Sequence, residues 1–250
     1  MTAPLQRNAF IAALAPPEFA LVAEHLSPLD LYVGQRLHTS GDTVADVIFP
    51  HSGLVVLTIR QRDDGAAGVM LVGRDGIVGG FAATAATPAS SDAEVHIVGH
   101  ASRMPAPTFR QLLESDPDMR RLAARFDSAA MAQAHQAAYC NAIHPIEARL
   151  CRLLAEVLDR SGEYWVPLNQ ATLAEILSAR RTTVTLVIGR LEAAGVLKWR
   201  RGYVDILDRA ELARRSCGCY ARMRQYVEQL FPAAGHAPDA AAIDQLSLER

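Results

Sequence analysis

Long apolar runs, cysteines and lysines are all scarce in this sequence. No uninterrupted apolar stretch approaches the roughly 20 residues that a membrane-spanning helix needs. The first ten residues lack the basic and apolar segments of an export signal. Four cysteines in 250 residues do not make a disulfide scaffold. We therefore expect a cytoplasmic protein with no membrane partner.

Motifs of the common enzyme classes are also missing. The sequence contains no Walker or Rossmann glycine pattern, no His-Glu-x-x-His zinc motif and no Gly-x-Ser-x-Gly nucleophile motif. Serine, histidine and aspartate are present, but without a recognisable local signature. These absences predict that the protein is not an enzyme.

The composition allows a substantial core, and the charge is unevenly distributed. Half of the residues are apolar and 21% are charged, and the length suits two compact domains. The net charge is only −2, yet residues 178–202 carry five arginines and the sole lysine, Lys198, against Glu192 alone. Such a basic segment favours a polyanionic partner, although a solvated helix face can look similar.

The N-terminal half has the pattern of an antiparallel β structure. After a short apolar pattern broken at Pro16-Pro17, strand-like runs occupy residues 44–49, 54–59, 69–72 and 95–98. Asp63-Asp64-Gly65 lies between two of these runs, and these residue types favour a hairpin turn because they tolerate positive φ. The pattern predicts a β-sandwich or β-roll rather than a parallel sheet.

Residues 118–142 form the longest predicted helix. Residues spaced alternately three and four apart mark one face of it, and they are Met119, Leu122, Phe126, Ala129, Gln133, Gln136 and Cys140. This face could pack on the protein's own β-domain, but we favour the interpretation that it is the seam of a dimerisation helix. His144-Pro145 ends the helix, because the residue before proline is disfavoured in the helical conformation.

Residues 168–207 have the pattern of a winged helix-turn-helix. Asn169 is a plausible N-cap, and Gly195 is the expected terminator of the second helix. The predicted elements are a helix over 170–177, a turn at Ser178-Ala179-Arg180, a helix over 181–194, and strands 196–199 and 203–207 around Arg200-Arg201-Gly202. Two helices followed by a basic hairpin are typical of DNA-binding modules.

Residue chemistry then predicts which side chains contact DNA. Arg181, Thr182, Thr185 and Gly189 share one face of the second helix, where arginine suits guanine and threonine suits a thymine methyl group. Thr183 completes the predicted set on this helix. The residues predicted to contact phosphates are Gln170, Arg180, Arg190, Lys198, Arg200 and Arg201.

At these residues the sequence resembles the Crp/Fnr family of bacterial transcription regulators. The resemblance covers about residues 143–220 and rests on LNQATLAEIL, RRTTV, RLEAAGVL and RRGYVDILDRAEL. It implies an α+β protein with a cyclic-nucleotide-binding-like β-roll over 1–117, a dimerisation helix over 118–142, a winged helix-turn-helix over 143–231 and a flexible tail over 232–250. It also places Arg181 and Thr182 at base-contacting positions.

Several positions depart from the family pattern. Arg180 stands where a capping serine is common, Ser178 where glycine is common, and Leu186 where many members have a base-reading arginine. We therefore expect an operator different from that of the cyclic-AMP receptor protein.

The segment GIVGGFAATAATPASSDAEV aligns with the family's nucleotide cassette. Gly80 replaces the glutamate and Ala89-Ser90 replace the arginine of that cassette, which disfavours cyclic AMP because its phosphate would lack a cationic partner. Gly79, Gly80 and Phe81 form a candidate effector pocket, but for Gly79-Gly80 we favour a tight turn over an anion-binding backbone nest. We assign no cofactor, and the effector remains open.

The cysteines leave a further alternative. Cys217 and Cys219, with His135, His144 or His236, could form a metal or thiol switch, but we favour two small residues packed in a helix pair and assign no metal ligands. The predicted function is a homodimeric regulator that binds an inverted repeat in double-stranded DNA, with RNA polymerase as a candidate partner. The alternatives are a thiol- or metal-responsive regulator and a protein-interaction module that does not bind DNA.

Overall fold

The structure is a computed structural model that describes residues 7–61, 65–161 and 165–231. The predicted tail over 232–250 and the hairpin residues Asp63 and Asp64 lie outside the described residues. Every helix within the described ranges is too short or too polar to cross a bilayer.

Two antiparallel sheets make up most of the N-terminal half. The described strands are β1 (Ser27–Leu31), β2 (Arg36–His38), β3 (Asp46–Pro50), β4 (Leu54–Gln61), β5 (Gly65–Val72), β6 (Asp92–Ile97) and β7 (Gly99–Pro105). Their order is β1-β7-β3 in one sheet and β2-β6-β4-β5 in the other. Leu31 and Ile48 of the first sheet share a core with Val55 and Val95 of the second. The predicted β-roll is confirmed.

The sequence predicted only some of these strands. The four predicted runs correspond to β3, β4, β5 and β6 with shifted ends, and the hairpin between β4 and β5 is present in the register Gln61↔Gly65. Strand β7 was not predicted, because Gly99, His100, Ser102 and Arg103 obscure its alternation. It nevertheless pairs with β1 on one side and β3 on the other.

Helices pack on one face of the β1-β7-β3 sheet. They are α1 (Ala9–Ala12), α2 (Pro16–Ala23), α3 (Gly80–Ala85), α4 (Ala106–Ser115) and α5 (Pro117–Ile143). Asp116 caps α5 by accepting hydrogen bonds from the backbone N–H groups of Asp118 and Met119, at 2.8 and 3.1 Å. At the other end of α5, His144 adopts the extended conformation that the following proline favours. The predicted helix over 118–142 therefore matches α5.

The C-terminal half contains the predicted winged helix-turn-helix. Its described elements are α6 (Ile146–Ser161), β8 (Trp165–Val166), α7 (Gln170–Ile176), α8 (Arg181–Ala193), β9 (Leu197–Arg200), β10 (Tyr203–Ile206), α9 (Arg209–Arg215) and α10 (Cys219–Leu230). Asn169 caps α7 as expected, and Gly195 follows α8 with φ of 72°.

The two halves share one apolar core. Leu150 and Leu154 of α6 and Leu173 of α7 belong to the same buried cluster as Leu54 and Leu71 of the β-roll. Farther along the chain, α10 packs on α5, and the ring of Phe231 lies 4.4 Å from that of Phe126 between centroids. The C-terminal half is therefore held against the roll rather than connected to it only through the chain.

Candidate nucleic-acid interface

Helix α8 separates its apolar and polar residues onto opposite faces. Val184, Val187, Ile188 and Leu191 are buried against α6 and α7. The opposite face is exposed and carries Arg181, Thr182, Thr185, Leu186, Gly189 and Arg190. Thr183 lies between the two faces and is half-buried. An exposed helix face of this kind fits the width of a DNA major groove.

Gln170 connects the start of α7 to this face. The Thr185 hydroxyl lies 2.7 Å from the Gln170 side-chain oxygen, and it also lies 3.0 Å from the backbone oxygen of Arg181. The first contact uses only the acceptor oxygen of Gln170. The amide N–H groups of Gln170 take no part in this hydrogen bond. The two helices therefore present Gln170 and Thr185 as one polar patch beside Arg181.

The wing carries its cations as expected, but not all of them are free. Arg200 donates from Nε to Asp205 Oδ2 at 2.9 Å, and this hydrogen bond raises the pKa of the guanidinium. Lys198 lies 4.0 Å from Glu192. We expected Glu192 to be the only acid near these cations, and Asp205 shows that expectation to be wrong. The antiparallel pairing of β9 with β10 brings Asp205 opposite Lys198, a cross-strand proximity that the charge count over 178–202 omitted.

Four predicted contact residues present unpaired charge. Arg180, Arg181, Arg190 and Arg201 are exposed, and among the described residues none of them forms an ion pair. They lie at the start of α8, near its end and at the tip of the wing. This distribution allows the module to contact a polyanion at several points along one surface.

Leu186 and Ser178 mark two local departures from the family pattern. Leu186 is 58% exposed on the same face as Thr182 and Thr185, so an aliphatic side chain occupies the candidate interface. Ser178 has φ of 47° in the turn between α7 and α8, a conformation that favours glycine. The turn therefore keeps the geometry of a glycine position although the residue differs.

The candidate effector pocket contains a turn and the start of a short helix. Gly79 has φ of 81° and precedes α3, which begins at Gly80. A side chain at Gly79 would meet Val44 Cγ1 at 2.8 Å, so the close packing and the positive φ both require glycine. Phe81 is half-exposed beside this turn. The structure thus contains the tight turn that we favoured at Gly79-Gly80.

The face of α5 that we selected as a dimer seam lies inside the protein. Met119, Leu122, Phe126, Ala129 and Cys140 are buried, and the Phe126 ring packs against those of Phe10 and Phe231. The two glutamines of the seam bond within the chain, Gln133 to Arg160 and Gln136 to Cys219. The packing is that of the alternative interpretation, an amphipathic helix on its own β-domain. The seam assignment is corrected accordingly, because its apolar side chains are buried within the chain and its half-buried glutamines bond to other residues of the same chain.

Comparisons with known proteins agree with this fold. Residues 148–215 match the Crp-like helix-turn-helix domain family. The comparison with curated proteins finds no match.

Several solved structures resemble the chain over most of its length. One is a protein from Eubacterium rectale assigned to the Crp/Fnr family, at 14% identity, with a TM-score of 0.65 and coverage of 82% of this chain and 95% of that one. The c-di-GMP-responsive global regulator CLP of Xanthomonas campestris is 15% identical, with a TM-score of 0.64 and coverage of 77% and 99%. A transcriptional regulator from Thermus thermophilus is 22% identical, with a TM-score of 0.63 and coverage of 76% and 98%. The comparisons thus show a Crp-like helix-turn-helix domain over residues 148–215, within a fold that most of the chain shares with solved transcriptional regulators.

Proposed function

We propose that the protein binds an inverted-repeat operator as a homodimer, with one α8 helix of each copy in a major groove. The observation that supports this most directly is the exposed face of α8, where Arg181 and Thr182 stand at the helix start beside unpaired Arg180. Arg181 and Thr182 contact base edges, and Gln170, Arg180, Arg190 and Arg201 contact phosphates. Arg200 and Lys198 contribute less, because acidic side chains lie beside them.

The dimer forms through the exposed face of α5. Ala124, Ser128, Met131, His135, Ala138 and Ala142 are all accessible and are spaced alternately four and three residues apart. This spacing is that of a coiled-coil seam, and the small residues allow two helices to approach closely. Met131 is 50% exposed and Tyr139, next to Ala138, is 53% exposed, so a second copy would cover apolar surface.

The signal that controls binding differs from cyclic AMP. Residues 79–95 supply no cationic side chain for a cyclic phosphate, and buried Asp92 lies in β6 at the end of this segment. One structural relative is described as responsive to c-di-GMP, so this fold serves effectors other than cyclic AMP. The regulator would act on DNA in the cytoplasm, with RNA polymerase as a candidate second partner.

Selection from random duplexes tests the proposal. We expect the wild-type protein to select a palindrome whose half-sites are about 34 Å apart, or one helical turn. Arg181→Ala should cost about 1–3 kcal/mol on that operator and relax the preference at one position in each half-site. Arg201→Ala should weaken binding to all duplexes alike and reduce the slope of affinity against salt by about one unit per half-site.

The two variants serve as controls for each other, because both remove one exposed arginine from the same domain. A selected pool without symmetry would exclude the dimeric arrangement. Equal loss of base preference in both variants would exclude the assignment of Arg181 to bases and Arg201 to phosphates.

A further inference from the structure

Three cysteines and a histidine meet where the long helix joins the C-terminal half. Cys140 lies in the last turn of α5, His144 follows that helix, and Cys217 and Cys219 flank the turn between α9 and α10. Their ligand atoms all lie within 4.8 Å of one another. All three cysteines are buried and unbridged. Residues far apart in the sequence thus present three sulfurs and one nitrogen to a common point.

The spacing of these atoms is that of a tetrahedral metal site. The sulfurs of Cys140 and Cys217 are 3.5 Å apart, and the Cys219 sulfur is 3.5 Å from Nδ1 of His144. A zinc ion with Zn–S bonds of about 2.3 Å and a Zn–N bond of about 2.0 Å separates neighbouring sulfurs by about 3.8 Å and sulfur from nitrogen by about 3.5 Å. The cluster therefore needs only small side-chain adjustments to surround such an ion.

A buried arginine beside the cluster supplies an independent observation. Arg149 is 5% exposed, and one of its terminal nitrogens donates to the backbone oxygen of Leu177. Its Nε has no hydrogen-bond partner, and within the described ranges it forms no ion pair. Its ionisable neighbours are Cys140, Cys217 and a second cation, Arg152, which is itself paired with Glu156. A buried cation without a counter-charge is costly, and thiolates bound to a metal beside Arg149 would supply that counter-charge.

We propose that Cys140, His144, Cys217 and Cys219 bind one zinc ion per chain. Three thiolates and a divalent cation leave one net negative charge, which Arg149 balances. The thiol protons leave to solvent on binding, and no group changes oxidation state. Gln136 donates from Nε2 to the Cys219 sulfur at 3.0 Å and so orients one ligand. Sequence analysis assigned no metal ligands and interpreted Cys217 and Cys219 as packing residues, because Cys-x-Cys alone is a weak signal.

The ion would connect two parts of the protein. Cys140 and His144 belong to the end of α5, whereas Cys217 and Cys219 fix the start of α10. A side chain at Gly218, between the two cysteines, would meet no atom within 4 Å, so this position does not itself pack against α5. A metal at this point would hold the last helix of the DNA-binding half against the long helix.

Cobalt provides the direct test. The full-length protein, reduced and freed of metal with a chelator, is titrated with Co²⁺. We expect one ion per chain, a visible spectrum typical of tetrahedral cobalt and a near-ultraviolet thiolate-to-cobalt band. Added Zn²⁺ should abolish both signals, because zinc is bound more tightly than cobalt by such ligands.

Substitutions locate the site. Cys219→Ser and Cys140→Ser should remove the tetrahedral spectrum, and Gln136→Ala should weaken Zn²⁺ binding by about 10–100-fold. Cys151→Ala is the matched control, since Cys151 is equally buried but lies outside the cluster. It should keep the wild-type spectrum and stoichiometry. The circular dichroism of each variant, measured without metal, distinguishes a lost ligand from a lost fold.

Three results would overturn the proposal. The first is the absence of stoichiometric cobalt binding by the reduced wild-type protein. The second is a signal that survives in both ligand variants, which would identify adventitious binding. The third is a reversible Cys140–Cys217 disulfide in a protein whose reduced form binds no metal, which would make the cluster a thiol switch. None of these measurements involves DNA, so their outcome is independent of the proposed operator.

Discussion

Ser178 occupies a backbone conformation that costs free energy for any residue with a Cβ. Its φ of 47° is required by the turn between α7 and α8, where the backbone N–H of Ala179 bonds to the oxygen of Ala174 at 2.9 Å. Left-handed conformations cost roughly 1–2 kcal/mol for non-glycine residues, whereas glycine adopts them readily. The chain tolerates this strain between the two helices that present the DNA-binding face.

We expect Ser178→Gly to raise the free energy of unfolding by roughly 0.5–1 kcal/mol. The relief of strain exceeds the extra flexibility that glycine gives to the unfolded chain. Chemical denaturation measures the change. The control is Ala171→Gly, in the exposed part of α7, which should lower stability by about 0.5–1 kcal/mol because that position has ordinary helical geometry. A loss of stability in Ser178→Gly would contradict this account.

Single residues also show where sequence information is sufficient. Asn169 and Gly195 were predicted as helix boundaries, and both are, because capping chemistry depends on immediate neighbours. Sequence analysis did not predict the pairing of Arg200 with Asp205, although both residues lie in the predicted hairpin. Their contact depends on strand register, which a count of charges along the chain does not contain.

At the scale of elements, α5 has two faces with the same spacing. The buried face contains Met119, Phe126 and Cys140, and the exposed face contains Ala124, Met131 and Ala138. Both repeat every three and four residues, so periodicity predicted the helix correctly but could not identify what each face contacts. We assigned the more apolar face to a second copy, whereas it packs against the protein's own α1, α4 and α10. The apolar character of a helix face indicates that the face is buried, but it does not indicate which part of the protein, or which other copy of it, the face packs against.

We expect Met131→Glu to weaken the dimer by at least tenfold. A carboxylate near the symmetry axis of the proposed seam would face its counterpart in the second copy and would lose solvent. Sedimentation equilibrium of the wild type and the variant measures the dissociation constant. Gln111→Glu, which adds the same charge on the exposed part of α4, should leave it unchanged.

Two results would contradict the proposed dimer seam on α5. A wild-type protein that is monomeric at micromolar concentration, or a Met131→Glu variant as dimeric as the control, would exclude this seam. Phe126→Arg is not a suitable test, because Phe126 lies in the core and its replacement would unfold the N-terminal half.

At the scale of the whole molecule, side-chain hydrogen bonds and an ion pair hold the DNA-binding half against the β-roll. Arg160 at the end of α6 donates from Nε to Asp75 at 2.8 Å and from a terminal nitrogen to Gln133 of α5 at 3.0 Å. Arg60 of β4 lies 3.0 Å from Glu175 of α7. None of these residues has a local sequence signal for such a role, so sequence analysis could not predict how the two halves pack together.

Gly68 of β5 lies directly against the first helix of the helix-turn-helix. A Cβ at this position would lie 2.9 Å from the Cα of Ile176. We expect Gly68→Ala to separate α7 from β5 at a cost of about 1–3 kcal/mol, since the contacted atom is backbone and cannot rotate away. Hydrogen exchange should then become faster in both elements.

Gly189→Ala provides the control for that measurement. Gly189 is in α8, and a Cβ there meets no atom within 4 Å, so exchange in α7 and β5 should not become faster than in the wild type. Unchanged exchange in Gly68→Ala would show that the contact between the two elements is loose. Equal acceleration in both variants would indicate a general loss of stability instead of a local separation.

The core shared by the two halves also has a consequence for cooperativity. Leu54, Val56, Leu71 and Ile97 of the roll are buried in the same cluster as Leu150 and Leu173. Detaching the DNA-binding half would expose apolar surface on both sides of the boundary, and each side would lose part of the burial that stabilises its own fold. The two halves therefore do not behave as independently stable domains. We therefore expect a change that loosens the roll to destabilise the domain that carries α8 as well, and the coupling free energy is the same when the change starts in that domain.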